Sequence, residues 1–198
     1  MTGTAGVLRV RLSGRGGQGL ILAGLVLAEA GSREGLHVVQ TQSYGPEARL
    51  GASKSDVILS RSEIAFPGVT EPEVLLCLSR DAFLKYGKTV ASGGVRIVDR
   101  QVAAEVPVGD AIVLPLGETA QSLGDAIVTN IVALGALVAL SGAVDETTLR
   151  EALRGRVKPQ LVELNERALA AGWALGEPER RRRAVGLAVG QTVPAEPA

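Results

Sequence analysis

Gly14-Arg15-Gly16-Gly17-Gln18-Gly19 stands between the apolar run Val7-Leu8-Arg9-Val10-Arg11-Leu12 and the helix-forming stretch Leu20 to Arg33. A strand, a glycine turn and a helix in that order restrict the chain more than any other feature it carries. Glycine enters left-handed backbone at no steric cost, and a helix that starts from such a turn aims its first N–H groups and its positive dipole end at one spot. The order predicts a turn that holds an anion, phosphate above all. Gly14, Gly16 and Gly19 match G-x-G-x-x-G in full, and Arg15 adds a positive charge inside the turn.

A dinucleotide site of this type also needs an acid about 20 residues on, at the end of the second strand, to accept from the ribose hydroxyls. Val39-Gln40-Thr41-Gln42 occupies that place. Glu29 and Glu34 come too early and Glu47 too late. An NAD(P)-binding oxidoreductase therefore loses its main support, though it stays open as an alternative. So does a structural subunit whose glycines serve only close packing.

The 198 residues suit one ordinary domain with a substantial core. Hydrophobic residues are 46% and aromatic ones 3%, so Ala, Val, Leu and Ile must fill that core. Net charge is zero and the pI is near 6.6, which gives no electrostatic argument for nucleic acid or an anionic membrane. One cysteine, Cys77, cannot ligate an iron–sulfur cluster, and one histidine, His37, makes no zinc site. No basic-then-apolar leader opens the sequence, so a cytoplasmic location is expected.

Short β-like runs alternate with helical segments. Strands are expected over Leu36 to Gln42, Ser55 to Ser60, Val74 to Ser79, Val95 to Val98 and Ile112 to Leu116. Helices are expected over Arg80 to Tyr86, Glu118 to Leu123, Asp125 to Leu140, Glu146 to Arg154 and Pro159 to Ala171. The alternation predicts an α/β, Rossmann-like layered fold with a mostly parallel sheet flanked by helices. In such sheets ligands sit beyond the carboxyl ends of the strands, which places Gly14 to Gly19 beside the loop after Gln42.

The 19 residues between Asp125 and Asp145 carry no charge. Five alanines, two glycines and the polar Thr129, Asn130 and Ser141 make a weak membrane signal without basic flanks, so a buried helix is expected there. Residues 1–176 form the domain on this reading. Residues 177–198, with Arg180-Arg181-Arg182-Arg183 and a Gly, Val and Pro rich end, read as a disordered tail.

A second polar cluster lies in Ser43-Tyr44-Gly45-Pro46-Glu47-Ala48-Arg49-Leu50-Gly51-Ala52-Ser53-Lys54-Ser55-Asp56. A Gly-Pro turn does not need Tyr44, Glu47, Arg49, Ser53 and Lys54 crowded around it, so their density beside a phosphate site suggests binding. A surface Glu47–Arg49 pair and a core-filling Tyr44 is the other reading of the same residues.

The glycine turn with Ala23-Gly24 and Leu27-Ala28, then Tyr44-Gly45-Pro46-Glu47-Ala48-Arg49 and Ser53 to Ser60, together resemble the gamma subunit or gamma domain of the 2-oxoacid:ferredoxin oxidoreductases. Ile64, Pro67, Val69, Pro72, Leu75-Leu76, Ala82, Tyr86 and Asn130 with Leu134-Gly135 follow in the order of the family's landmarks, so the similarity spans roughly residues 7 to 172. Leu50-Gly51-Ala52 departs from the two glycines that follow the arginine in many relatives. The beta subunit of indolepyruvate oxidoreductase is a near relative of the same fold whose loop usually differs from Tyr44-Gly45-Pro46-Glu47.

The resemblance implies one subunit of an enzyme that decarboxylates a 2-oxoacid oxidatively, forms an acyl-CoA and reduces ferredoxin. It implies alpha and beta subunits as partners, with thiamine diphosphate, Mg and the iron–sulfur cluster on them, and coenzyme A as the ligand of this chain. Amides of Gly16, Gly17, Gln18 and Gly19 are then expected to hold a CoA phosphate, with Arg15 and Arg49 as cationic supports and Lys54 as a weaker one. The 2-oxoacid is chosen on another polypeptide, and pyruvate, branched-chain acids and 2-oxoglutarate all stay open, the last resembling this chain most.

Overall fold

The computed structural model describes residues 6–42 and 52–183. Six strands form one sheet: β1 (Val7–Arg15), β2 (His37–Gln42), β3 (Ala52–Ser60), β4 (Val74–Cys77), β5 (Val95–Asp99) and β6 (Ile112–Leu114). Their spatial order is β2-β3-β1-β4-β5-β6. Strand β1 pairs in parallel with β4, β4 with β5 and β5 with β6, whereas β3 runs antiparallel to both β1 and β2. Strand β3 thus points against the other five. The cause is the short link from Gln42 to Ala52, which leaves no room for the crossover helix that parallel neighbours need.

The expected strands are all present and the sheet is mostly parallel, as anticipated. The loop after Gln42, expected beside the glycine turn, lies outside the described residues over 43–51. Strand β3 lies between β1 and β2, and its first residue, Ala52, sits opposite Arg15.

The helices are α1 (Leu20–Arg33), α2 (Arg80–Tyr86), α3 (Arg100–Glu105), α4 (Leu116–Ser122), α5 (Thr129–Ser141), α6 (Glu146–Arg156) and α7 (Val162–Arg183), with 3₁₀ turns at Ala126–Val128 and Pro159–Leu161. Helix α3 was not anticipated; it is six residues long and is started by Asp99, whose Oδ1 accepts from Gln101 N at 2.8 Å. The same carboxylate accepts from Gly117 N through Oδ2 at 2.6 Å, so one buried acid fixes the starts of α3 and α4 beyond the carboxyl ends of β5 and β6.

Both faces of the sheet are covered, which is why β4 reads Val-Leu-Leu-Cys with every residue buried. The larger core lies between the sheet and α1, α5 and α6, and a smaller one joins Leu75, Cys77 and Val98 to α2 and α3. Helix α5 is the uncharged segment expected to be buried, and every residue from Asn130 to Ser141 is buried. Among the described residues no helix is long and apolar enough to cross a membrane.

Glycines let α7 approach α5 to backbone contact. A Cβ on Gly172 would stand 1.9 Å from the carbonyl of Val132, and one on Gly176 2.2 Å from that of Ala136. This packing carries α7 past the boundary read at residue 176. The helix runs through Pro178 to Arg183, and the Arg180 guanidinium lies against Gly142 at the carboxyl end of α5, where the helix dipole favours a cation. Residues 184–198 lie outside the described residues.

Candidate functional site

Strand β1 ends at Arg15, opposite Ala52, and the chain turns through Gly16 and Gly17 into α1. Gly17 has φ 86° and Gly19, which caps α1, has φ 70°, both in the left-handed region that glycine tolerates. Gly14 is required for a different reason. A Cβ there would lie 2.3 Å from Gln18 Oε1 and 3.2 Å from Leu78 Cβ.

Gln18 braces the turn from inside. Its Oε1 accepts from Arg15 N at 2.6 Å, its Nε2 donates to the Leu78 carbonyl at 3.2 Å, and its own N–H donates to the Arg15 carbonyl at 3.3 Å. The expectation that the Gln18 amide serves a phosphate therefore changes: Gln18 shapes the loop. Among the described residues no acceptor meets the N–H of Gly16, Gly17 or Gly19. These three donors stand at the N-terminus of the 14-residue α1, and a Cβ on Gly17 would have no protein atom within 4 Å. An anion can approach that backbone directly.

Asn130 ties this turn to α5. Its Nδ2 donates to the Gly19 carbonyl at 3.0 Å, and a Cβ on Gly19 would strike the same amide at 2.3 Å. Gly17, Gly19 and Asn130 also line a cavity of about 370 Å³ that opens beside the turn, walled by Leu22, Val128 and Leu164. Asn165 and Lys158 line it as well. In the sequence Asn130 stands out as a landmark and as a polar residue of the uncharged segment, whereas nothing there marks Lys158 or Asn165. The signal for Asn130 lay in a polar residue at the first turn of an otherwise apolar helix.

Ser53 and Lys54 are paired with Gly14 and Ser13 in the β1–β3 register, on opposite faces of the sheet. Ser53 shares its face with Ser55, which packs under α1 against Gly24. Lys54 faces the other way, where its Nζ sits 2.7 Å from Asp56 Oδ2. Asp56 is in turn gripped by Arg11 through Nε and Nη2 at 2.7 and 2.9 Å, and the Arg11 guanidinium lies 5.1 Å from the Tyr86 ring centroid. Lys54 is thus an arm of a buried ion network. Arg15 is exposed, with no side-chain partner among the described residues. Tyr44, Glu47 and Arg49 lie outside the described residues.

Cys77 ends β4 on the face of α2, its Sγ 3.3 Å from Ser13 Oγ, and burial pushes its thiol up to about 11. A buried thiol held neutral is a core group. Among the described residues no group of three or more His, Cys, Asp or Glu could hold a metal ion. The end of β2 presents Gln40, whose Nε2 donates to Ser55 Oγ at 2.9 Å, and no carboxylate for a ribose.

The site's geometry is an open glycine turn at the N-terminus of α1, on a doubly covered sheet. The chain belongs to the pyruvate ferredoxin/flavodoxin oxidoreductase family, whose model matches residues 9–175, and within it to the gamma-type subunits of the 2-oxoacid:ferredoxin oxidoreductases. It is 41% identical over 173 residues to the 2-oxoglutarate synthase subunit KorC of Methanothermobacter marburgensis, covering 82% of this chain and 93% of that one. A solved gamma subunit of a keto/oxoacid ferredoxin oxidoreductase from Geobacter sulfurreducens is 42% identical with a TM-score of 0.80, over 88% of this chain and 99% of that one. The 2-oxoglutarate:ferredoxin oxidoreductase of Magnetococcus marinus, solved with 2-oxoglutarate, coenzyme A and succinyl-CoA bound, is 26% identical with a TM-score of 0.76, over 87% of this chain and 31% of that one.

Proposed function

We propose that this subunit holds coenzyme A for an enzyme that converts 2-oxoglutarate, CoA and oxidised ferredoxin to succinyl-CoA, carbon dioxide and reduced ferredoxin. The observation that carries the reading is the set of open N–H groups of Gly16, Gly17 and Gly19 at the start of α1, with clear space in front of Gly17. A CoA phosphate fits there, since these donors need no reorganisation and the helix dipole adds to them. Arg15 supplies charge from this turn and Arg49 from the segment that joins Gln42 to Ala52, with Tyr44, Glu47 and Ser53 around the ligand. Lys54, already paired with Asp56, contributes least.

Two relatives support the choice of substrate and ligand: one is named for 2-oxoglutarate, and one was solved with 2-oxoglutarate and CoA. The partners are alpha and beta subunits that carry thiamine diphosphate, Mg and the iron–sulfur cluster, and ferredoxin takes the electrons from the complex. When bound, thiamine diphosphate supplies the carbanion chemistry. The residues of this chain position the CoA thiol for it by fixing the other end of the molecule.

The test is to tag the chain in its host, purify it gently, identify its companions and assay CoA-dependent dye reduction with a panel of 2-oxoacids. Co-purified thiamine and iron–sulfur subunits, active on 2-oxoglutarate, are expected. Activity on pyruvate or a branched-chain acid alone moves the substrate, and a chain that travels alone and binds a nicotinamide contradicts the assignment.

A further inference from the structure

Strands β1 and β4 part just before the glycine turn. Their parallel register ends at Ser13 opposite Cys77, and Leu78 N still donates to the Ser13 carbonyl at 2.8 Å. In a parallel ladder the next bond runs from Arg15 N to the Leu78 carbonyl. The Gln18 side chain stands in that step instead: Arg15 N donates to its Oε1 at 2.6 Å, and its Nε2 donates to the Leu78 carbonyl at 3.2 Å. The two bonds fix the amide orientation, since Oε1 only accepts and Nε2 only donates. One side-chain amide thus separates two backbone groups that the ladder brings together directly, and it takes the Arg15 N–H out of the set open to an anion. Gly14 makes room for it. A Cβ there would stand 2.3 Å from Gln18 Oε1, closer than the 3.2 Å to Leu78 Cβ, and Gly14 has no positive φ that calls for glycine.

We infer that Gln18 is a positioning residue for CoA use: its side chain props β1 and β4 apart by one amide, which sets where the N–H groups of Gly16, Gly17 and Gly19 point, and Gly14 is glycine to admit that prop. The inference rests on the reading of this turn as the CoA phosphate site, and it gives Gln18 no contact with CoA. Without the prop, Arg15 N and the Leu78 carbonyl close on each other as an ordinary rung. The sheet then keeps its backbone bonds while the turn loses its anion geometry. Donors serve an anion best when they already converge on it and need no rearrangement.

The test is steady-state kinetics of the assembled enzyme carrying Gln18→Ala, Gly14→Ala or both. Each single change is expected to raise KM for CoA about tenfold, as the loss of one or two hydrogen bonds implies, with KM for the 2-oxoacid in place and turnover at saturating CoA changed far less. Because Gly14→Ala acts by expelling the same side chain, the double variant is expected to match Gln18→Ala and not to multiply the two effects. Should Gln18→Ala fail to assemble, Gln18→Asn decides: it keeps the amide but is one carbon too short to span both partners, and it is expected to raise KM for CoA as well. An unchanged KM for CoA in the Gln18 variant overturns the inference. So do multiplied effects in the double variant, or a loss confined to turnover and melting temperature, which a structural role alone gives. The Gly17 pair separates this from failure of the parent reading: if Gly17→Asp has the higher KM for CoA relative to Gly17→Asn while the Gln18 variant leaves KM in place, only the role of Gln18 falls; if the Gly17 pair is alike, the parent reading falls with it.

Discussion

Asn130 Nδ2 donates to the carbonyl of Gly19 at 3.0 Å, joining the first turn of α5 to the cap of α1 across 111 residues of sequence. The uncharged helix of the core is therefore tied directly to the glycine turn. Asn130→Ala is expected to cost about 1–3 kcal/mol of stability. Gly19→Ala is expected to cost more, because its Cβ meets that amide at 2.3 Å and its φ is +70°. In the Asn130→Ala background the Gly19→Ala penalty should shrink, which a denaturant-melt cycle measures.

The Arg11–Asp56 pair is 3% exposed at each residue. Asp56→Ala strands the Arg11 charge beneath the sheet and is expected to destabilise by about 3–5 kcal/mol. Lys54→Ala removes only the half-exposed arm of the network and is expected to cost about 1 kcal/mol or less. Equal losses for the two would contradict this ordering.

Cys77 gives a pH dependence of known sign. Its folded thiol is raised from an ordinary value of 9.0 to about 11, chiefly by burial. Stability from the neutral thiol is fully present below pH 9 and is lost as pH rises toward 11, because the unfolded chain gives up that proton first. At pH 8 Ellman's reagent is expected to react with Cys77 only after denaturant is added.

Two glycines should respond oppositely to alanine. Gly172→Ala drives a Cβ to 1.9 Å from the Val132 carbonyl and should separate α7 from α5, at about 1–3 kcal/mol or more. Gly155, in α6, has no atom closer than 3.6 Å to its Cβ position, and Gly155→Ala should stabilise by about 0.5–1 kcal/mol. Thermal melts of both variants check the contrast.

Features that depend on a few adjacent residues were legible in the sequence. The bounds of α1 and α2 follow from the glycine turn and from Ser79, whose Oγ accepts from Ala82 N, and the burial of α5 follows from an uncharged alanine-rich segment. The direction of β3 was not legible in the strand itself, since the apolar run Val57-Ile58-Leu59 reads the same for either direction and the link from Gln42 decides it. Nor was the run of α7 through Pro178, because Glu177-Pro178 reads as a stop until Gly176 is seen against Ala136. The turn announced an anion site, but Gln18 read as a ligand contact when its side chain closes the loop on Leu78. Asn165 was hidden because the cavity it lines is completed by Leu22 and Val128, which are distant in sequence.

The central claim is that CoA phosphate lies on the backbone at Gly17, and charge there tests it directly. Asparagine and aspartate tolerate left-handed backbone similarly and differ by one negative charge, so Gly17→Asn and Gly17→Asp impose nearly the same strain. The account predicts that in the assembled enzyme Gly17→Asp has a KM for CoA about tenfold or more above that of Gly17→Asn, with KM for the 2-oxoacid alike in the two. Equal KM values for CoA in the two variants would contradict it.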